Sequence, residues 1–173
     1  MTQISYQPAF DAYNAAFRML QLREACWTKS AISFEALRIA DFYVLFPFLI
    51  ADIRVRREHM SWKKVARKYE FKKPYARLPN SPVLFKRMLP FQVAAFERIV
   101  DSDFALLDDW SRGHALASEK TLPVELNEKI NALNSEQADL IETIASMMEG
   151  YPLLGSDGLK ARTQLQEYRY DAV

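Results

Sequence analysis

The chain is poor in the residues that usually advertise chemistry. Its 173 residues include one cysteine, Cys26, and two histidines, His59 and His114. A single cysteine excludes an internal disulfide and fits a reducing compartment. No Cys/His cluster has zinc-ligand spacing, so no metal is expected. There is no Gly-rich phosphate loop and no Gly-x-Ser-x-Gly elbow. P-loop nucleotide binding and an elbow-borne serine nucleophile are therefore excluded, and no cofactor is expected. Only four glycines occur, which argues against an all-β chain rich in tight turns. Long apolar runs are missing as well. The longest, Phe42 to Ala51, contains Pro47, is bracketed by Asp41 and Asp52, and is too short to span a bilayer. Met1-Thr2-Gln3-Ile4 opens without a basic stretch backed by an apolar one, so no signal peptide is read. The expectation is a cytoplasmic protein with no membrane contact.

What is present is hydrophobic mass and segregated charge. Half of the residues are hydrophobic, enough for one packed domain or a domain with a helical extension. Between Arg54 and Arg87 stand twelve Lys or Arg and two acids, Glu58 and Glu70, in a chain whose total charge is +1. The belt carries an excess of ten, so everything outside it is acidic by nine. Such segregation points to a polyanion, to an acidic partner, or to both. Arg54, Arg56, Arg57, Lys63, Lys64, Arg67, Lys68, Lys72 and Lys73 are the candidate binding residues. Trp62, Tyr69, Phe71 and Tyr75 are interleaved with them, and aromatics can stack on bases or anchor in a partner. The competing reading is a merely solvated surface.

Periodicity predicts helices on both sides of the belt. Phe10, Tyr13, Phe17 and Leu20 recur at helical spacing over about 9–26. Ser33 caps a second helix, 34–51, apolar nearly all round and central, with Pro47 kinking or ending it. Asp41 lies on its apolar face and needs a partner there. Arg38, three residues earlier, is read as the partner in a structural ion pair, with Arg18 on the first helix as the other choice. The middle of the belt, 61–69, is a possible short helix between loops, and the whole segment at about 54–80 reads as an insertion. Helices at 82–88 and 90–101 follow. Phe104–Leu107 and His114–Ala117 flank a turn and predict a β-hairpin. The fold class is mainly α: a winged-helix-like core over 1–120, with the hairpin as wing, then a C-terminal helical region over 121–173.

In that C-terminal region Leu126, Ile130, Leu133, Gln137, Leu140, Ile144 and Met147 step at heptad spacing. The seam faces its own core or packs on a partner helix. It is one helix, or two broken near Asn134-Ser135. The acids Glu125, Glu128, Glu136, Asp139 and Glu142 can meet a basic surface elsewhere, including the chain's own belt. A last helix, about 157–170, carries Leu159, Leu165 and Tyr168. Cys26 has Lys29 nearby, which would lower its pKa, although a lone buried cysteine is the commoner case.

Three stretches carry a family resemblance: Tyr6-x-Pro8-x-Phe10-Asp11-x-Tyr13-x-x-x-Phe17-Arg18, Leu37-Arg38-Ile39-x-Asp41-Phe42-Tyr43-x-Leu45-Phe46-Pro47, and Leu84-Phe85-x-x-Met88-x-Pro90-x-Gln92. They resemble the middle components of bacterial ABC three-component defence systems, a broad group that includes the accessory subunit of Lamassu-type systems. The resemblance covers roughly 6–100. It implies a non-enzymatic adaptor that bridges an SMC- or ABC-type ATPase and an effector nuclease. It hands over no functional residues. Double-stranded DNA, contacted through its backbone, is a further partner that the belt allows. A stand-alone winged-helix transcriptional regulator is the first rival. Its recognition helix at 90–101 would offer only Gln92, Glu97 and Arg98 as polar contacts, too few for base reading. A small metal-dependent nuclease using Asp108 or Asp109 is the second.

Overall fold

A computed structural model describes residues 7–165. The chain is mainly helical with one small antiparallel sheet. Helix α1, Ala12–Gln21, starts where the Asp11 side chain accepts a hydrogen bond from the Asn14 N–H, satisfying one of the helix's orphan donors. A π-helical turn, Arg23–Trp27, extends it. Helix α2, Phe34–Leu45, is capped by Ser33 and stops before Pro47. Its continuation, Pro47–Asp52, tightens into a 3-10 helix. Leu37, Ile39, Ala40 and Phe42 are fully buried, so α2 runs through the centre of the molecule.

Helix α4, Ser81–Asp101, packs along α1. The two helices expected at 82–88 and 90–101 are this single one. Pro90 removes the bond to the Lys86 carbonyl, yet both residues are exposed, so water can satisfy the freed group and the helix continues. Phe34, Phe96, Trp27 and Trp110 form one ring cluster, with neighbouring centroids 4.8–5.6 Å apart. Each large side chain buried in this way contributes roughly 1.5–3 kcal/mol.

The expected wing forms only at its outer rungs. Leu106 donates to the Leu116 carbonyl and Ser118 to that of Phe104, around a bridge between Ala105 and Ala117. Between these rungs Leu107–Ser111 is a helix, α5, not a strand. The helical turn lets Trp110 reach Phe34 and Phe96, at 4.8 and 4.9 Å, and that aromatic burial outweighs the alternating pattern. Gly113, at φ +77°, ends α5, a conformation that glycine adopts without strain. The next strand, β2 (His114–Ala115), pairs antiparallel with β1 (Ile32–Ser33), with Ile32 opposite Ala115.

The C-terminal seam is divided between helices α6, Val124–Glu136, and α7, Ala138–Gly150. The break is at Gln137, not at Ser135, whose hydroxyl bonds back to the Asn131 carbonyl inside α6. The seam faces inward. Ile130, Leu140, Ile144 and Met147 are buried, with Leu126 and Leu133 half-buried. Within the chain, the Gln137 side-chain oxygen accepts from the Gln21 side-chain amide at 3.0 Å. The expected last helix is the short α8, Leu159–Thr163; Tyr168 lies outside the described residues.

Asp41 is fully buried, and its partner is Arg18 rather than Arg38. Arg18 donates from Nε to Oδ1 at 2.6 Å and from Nη2 to Oδ2 at 3.2 Å. Gln92 adds a bond to Oδ2 at 2.8 Å and accepts from Arg38 Nε at 2.8 Å. Arg38 turns away from Asp41 toward Glu35, at 3.0 Å, and lies 4.2 Å over the Phe85 ring. Geometry decides the pairing: a residue three positions away shares the helix face, but the fork of Arg18 arrives end-on from α1 and meets both carboxylate oxygens.

Candidate interaction surface

The belt is anchored by its own apolar stripe. Helix α3, Trp62–Lys68, turns Trp62 and Ala66 inward, and Tyr69 follows them. The spacing 62, 66, 69 is helical, so this face packs on the Pro47–Asp52 turn and on α7. The middle of the segment is thus packed on the core, while 73–80 is loop.

Five of the twelve belt cations are used inside the chain. Lys63 Nζ donates to the carbonyls of Ala51 and Ile53, at 2.6 and 3.1 Å. Lys68 Nζ binds Asp139 at 2.7 Å, and the Tyr69 hydroxyl donates to the other oxygen of the same carboxylate at 2.8 Å. The Lys68 bond is the main reason that Asp139 titrates below the usual carboxylate range, helped by Tyr69 and opposed by burial. The Tyr69 phenol is pushed up to about 12, first by burial and then by this bond to an anion. Lys72 lies 5.5 Å from the Tyr69 ring, and burial lowers its pKa.

Arg54 and Arg56 hold the segment that follows α7. Arg54 Nη2 donates to the Ser156 carbonyl at 3.1 Å. Arg56 binds Asp157 and lies 4.7 Å from the Tyr151 ring, while Arg162 covers that ring at 4.4 Å and binds Asp157 too. The Arg56 N–H donates to the Tyr151 hydroxyl, which also bonds His59 Nδ1 at 2.6 Å. His59 in turn stacks on Trp62 at 4.2 Å. Gly158 permits the fold-back: a Cβ there would run into the Leu154 carbonyl.

The remaining seven cations, Arg57, Lys64, Arg67, Lys73, Arg77, Lys86 and Arg87, are exposed and have no partner among the described residues. Lys64 and Arg67 are three positions apart on the outer side of α3, opposite Trp62 and Ala66. Two aromatics of the belt are exposed as well, Phe71 at 78% and Tyr75 fully. The predicted binding set is thus split. Arg57, Lys64, Arg67 and Lys73 face outward, whereas Arg54, Arg56, Lys63, Lys68 and Lys72 serve the fold.

Other candidate residues fall elsewhere. Asp108 is exposed at the start of α5, and Asp109 pairs with Arg112 at 3.4 Å. Among the described residues no group of three or more His, Cys, Asp or Glu is placed to hold a metal ion. Gln92 is fully buried, so it is not a surface contact of a recognition helix. Cys26 is pushed up to about 12, chiefly by burial and then by Glu149; the expected lowering by Lys29 is not what its surroundings produce. Among the described residues no helix is long and apolar enough to cross a membrane. The residues missed from sequence are Tyr151, Asp157 and Arg162, which clamp the belt from the other end of the chain.

Fold and surface together define a helical scaffold whose belt turns cations and two aromatics outward. The chain matches the family description ABC-three component (ABC-3C) system Middle Component 5 over residues 4–171, and it belongs to that family. It is a middle component of a multi-component system, and such a component implies partner proteins. No curated protein and no solved structure matches it.

Proposed function

We propose that the chain is a non-enzymatic adaptor that holds an SMC- or ABC-type ATPase and an effector nuclease together in a Lamassu-like defence assembly. Its membership among middle components supports an adaptor role. The carrying observation is the divided belt. Five cations are neutralised or used internally, seven are exposed without a partner among the described residues, and the belt aromatics Phe71 and Tyr75 are exposed too. A cationic face of this kind steers an oppositely charged partner and fixes its orientation. The same cations can reach a DNA backbone held by the ATPase without reading bases.

The test is co-expression of the tagged chain with the other components of its system, followed by purification in moderate salt. The expected result is a stoichiometric complex that Lys64→Glu/Arg67→Glu weakens. A chain that purifies alone from cells containing every other component would overturn the reading.

A further inference from the structure

The stretch Lys73–Ser81 crosses the Pro47–Asp52 turn and leaves a groove of about 360 Å³ between them. That volume lies at the lower end of ligand-binding clefts, roughly 300–1,000 Å³. Phe48, Leu49 and Leu78 give it apolar walls, and Lys73 and Arg77 line it as well. Both cations lack a partner among the described residues. Tyr75, Ala76, Arg77 and Leu78 belong to no helix or strand, and among the described residues their backbone N–H groups make no hydrogen bond. Pro74 and Pro79 bracket this stretch and restrict its conformations, so little entropy is left to lose when it is ordered further.

These features are the parts of an extended-peptide site. An apolar pocket takes one side chain, and flanking charges select the sequence around it. A phosphate backbone uses the charges but gains nothing from Phe48, Leu49 and Leu78. We propose that the groove takes an acidic, extended segment of a partner protein, which seats one aliphatic or aromatic side chain on those three residues. Its carboxylates lie against Lys73 and Arg77. The inference rests on the adaptor reading and names the place where one partner is held.

The experiment uses the co-expressed system. Ala76→Trp fills the groove from an exposed position, and Lys73→Glu/Arg77→Glu reverses its charges; neither alters a core contact. A photo-crosslinking amino acid at Tyr75 reports what lies beside the groove. The expected result is a crosslink to an acid-rich segment of one system component, with recovery of that component reduced roughly tenfold by either variant, as for the loss of an interface anchor. If the unaltered chain recovers its partners and both variants recover them equally, the groove is not the site, while the adaptor reading stands. A crosslink to DNA or to a second copy of the chain also overturns the inference. If the unaltered chain recovers no partner, the adaptor reading fails first.

Discussion

Replacing Asp41 with asparagine keeps the shape of the side chain and removes its charge. Three donors converge on that carboxylate: Nε and Nη2 of Arg18, and Nε2 of Gln92. An asparagine amide offers one acceptor oxygen and turns its NH2 toward a group that is itself a donor. Arg18, 7% exposed, is left charged and buried, with the Pro8 carbonyl at 3.2 Å as its other partner among the described residues. Removing one member of a buried pair costs about 3–5 kcal/mol. For a chain of this length that is a drop in Tm of roughly 6–20 °C. The assay is thermal unfolding followed by far-UV circular dichroism, with urea unfolding at fixed temperature as a check. The double variant Arg18→Met/Asp41→Leu should recover most of the loss, because a matched apolar pair carries no desolvation cost. A single variant that melts within about 2 °C of the parent would refute the reasoning. So would a double variant no more stable than the single.

Four further outcomes follow from the same structure. Lys63→Glu should cost roughly 1.5–3 kcal/mol of stability, as expected for a lost charged hydrogen bond, because Lys63 Nζ holds the carbonyls of Ala51 and Ile53. Lys64→Glu/Arg67→Glu, on free surface positions, should stay within about 0.5 kcal/mol; urea melts separate the two cases. Cys26, pushed up to about 12, should react with a disulfide reagent far more slowly at pH 8 in the folded chain than in urea, and equal rates would contradict its burial. The folded pKa of Asp139 lies below its unfolded one, chiefly through the Lys68 bond. Its stabilising contribution is therefore complete above the ordinary carboxylate pKa and is lost as pH falls through the depressed value. Lys68→Ala should move its midpoint, read from the carboxyl carbon by NMR, upward.

Sequence and structure agree where a residue's local role matches its tertiary one. Ser33 caps α2, Pro47 ends it, and Asp41 sits inside an apolar face and finds an arginine. The middle-component resemblance and the family match coincide as well. Arg18, Arg38, Asp41, Phe85 and Gln92 come from all three resembling stretches, and they meet in one buried network. Those stretches are thus packing signatures. What sequence could not decide was partner choice. The hairpin reading offered the strand at His114 one neighbour, the 104–107 stretch; it pairs instead with Ile32–Ser33, and Trp110 lies in a helical turn against Phe34. The stripe Trp62-Ala66-Tyr69 was present in the spacing but masked by the surrounding charge. The clamp from Tyr151, Asp157 and Arg162 joins residues about a hundred positions away, and no local pattern announces it.

The division of the belt fixes how any nucleic-acid binding must respond to salt. Affinity for duplex DNA falls with salt in proportion to the phosphates neutralised, with a logarithmic slope of about −0.9 per contact. Counting every Lys and Arg from Arg54 to Arg87 would allow a slope near −11. Two of the twelve, Arg56 and Lys68, are ion-paired with Asp157 and Asp139 inside the chain. Counterion release by the belt then reaches about −9 while both pairs hold, and a steeper slope requires one of them to open. A steeper measured slope would report that opening directly, without any structural probe.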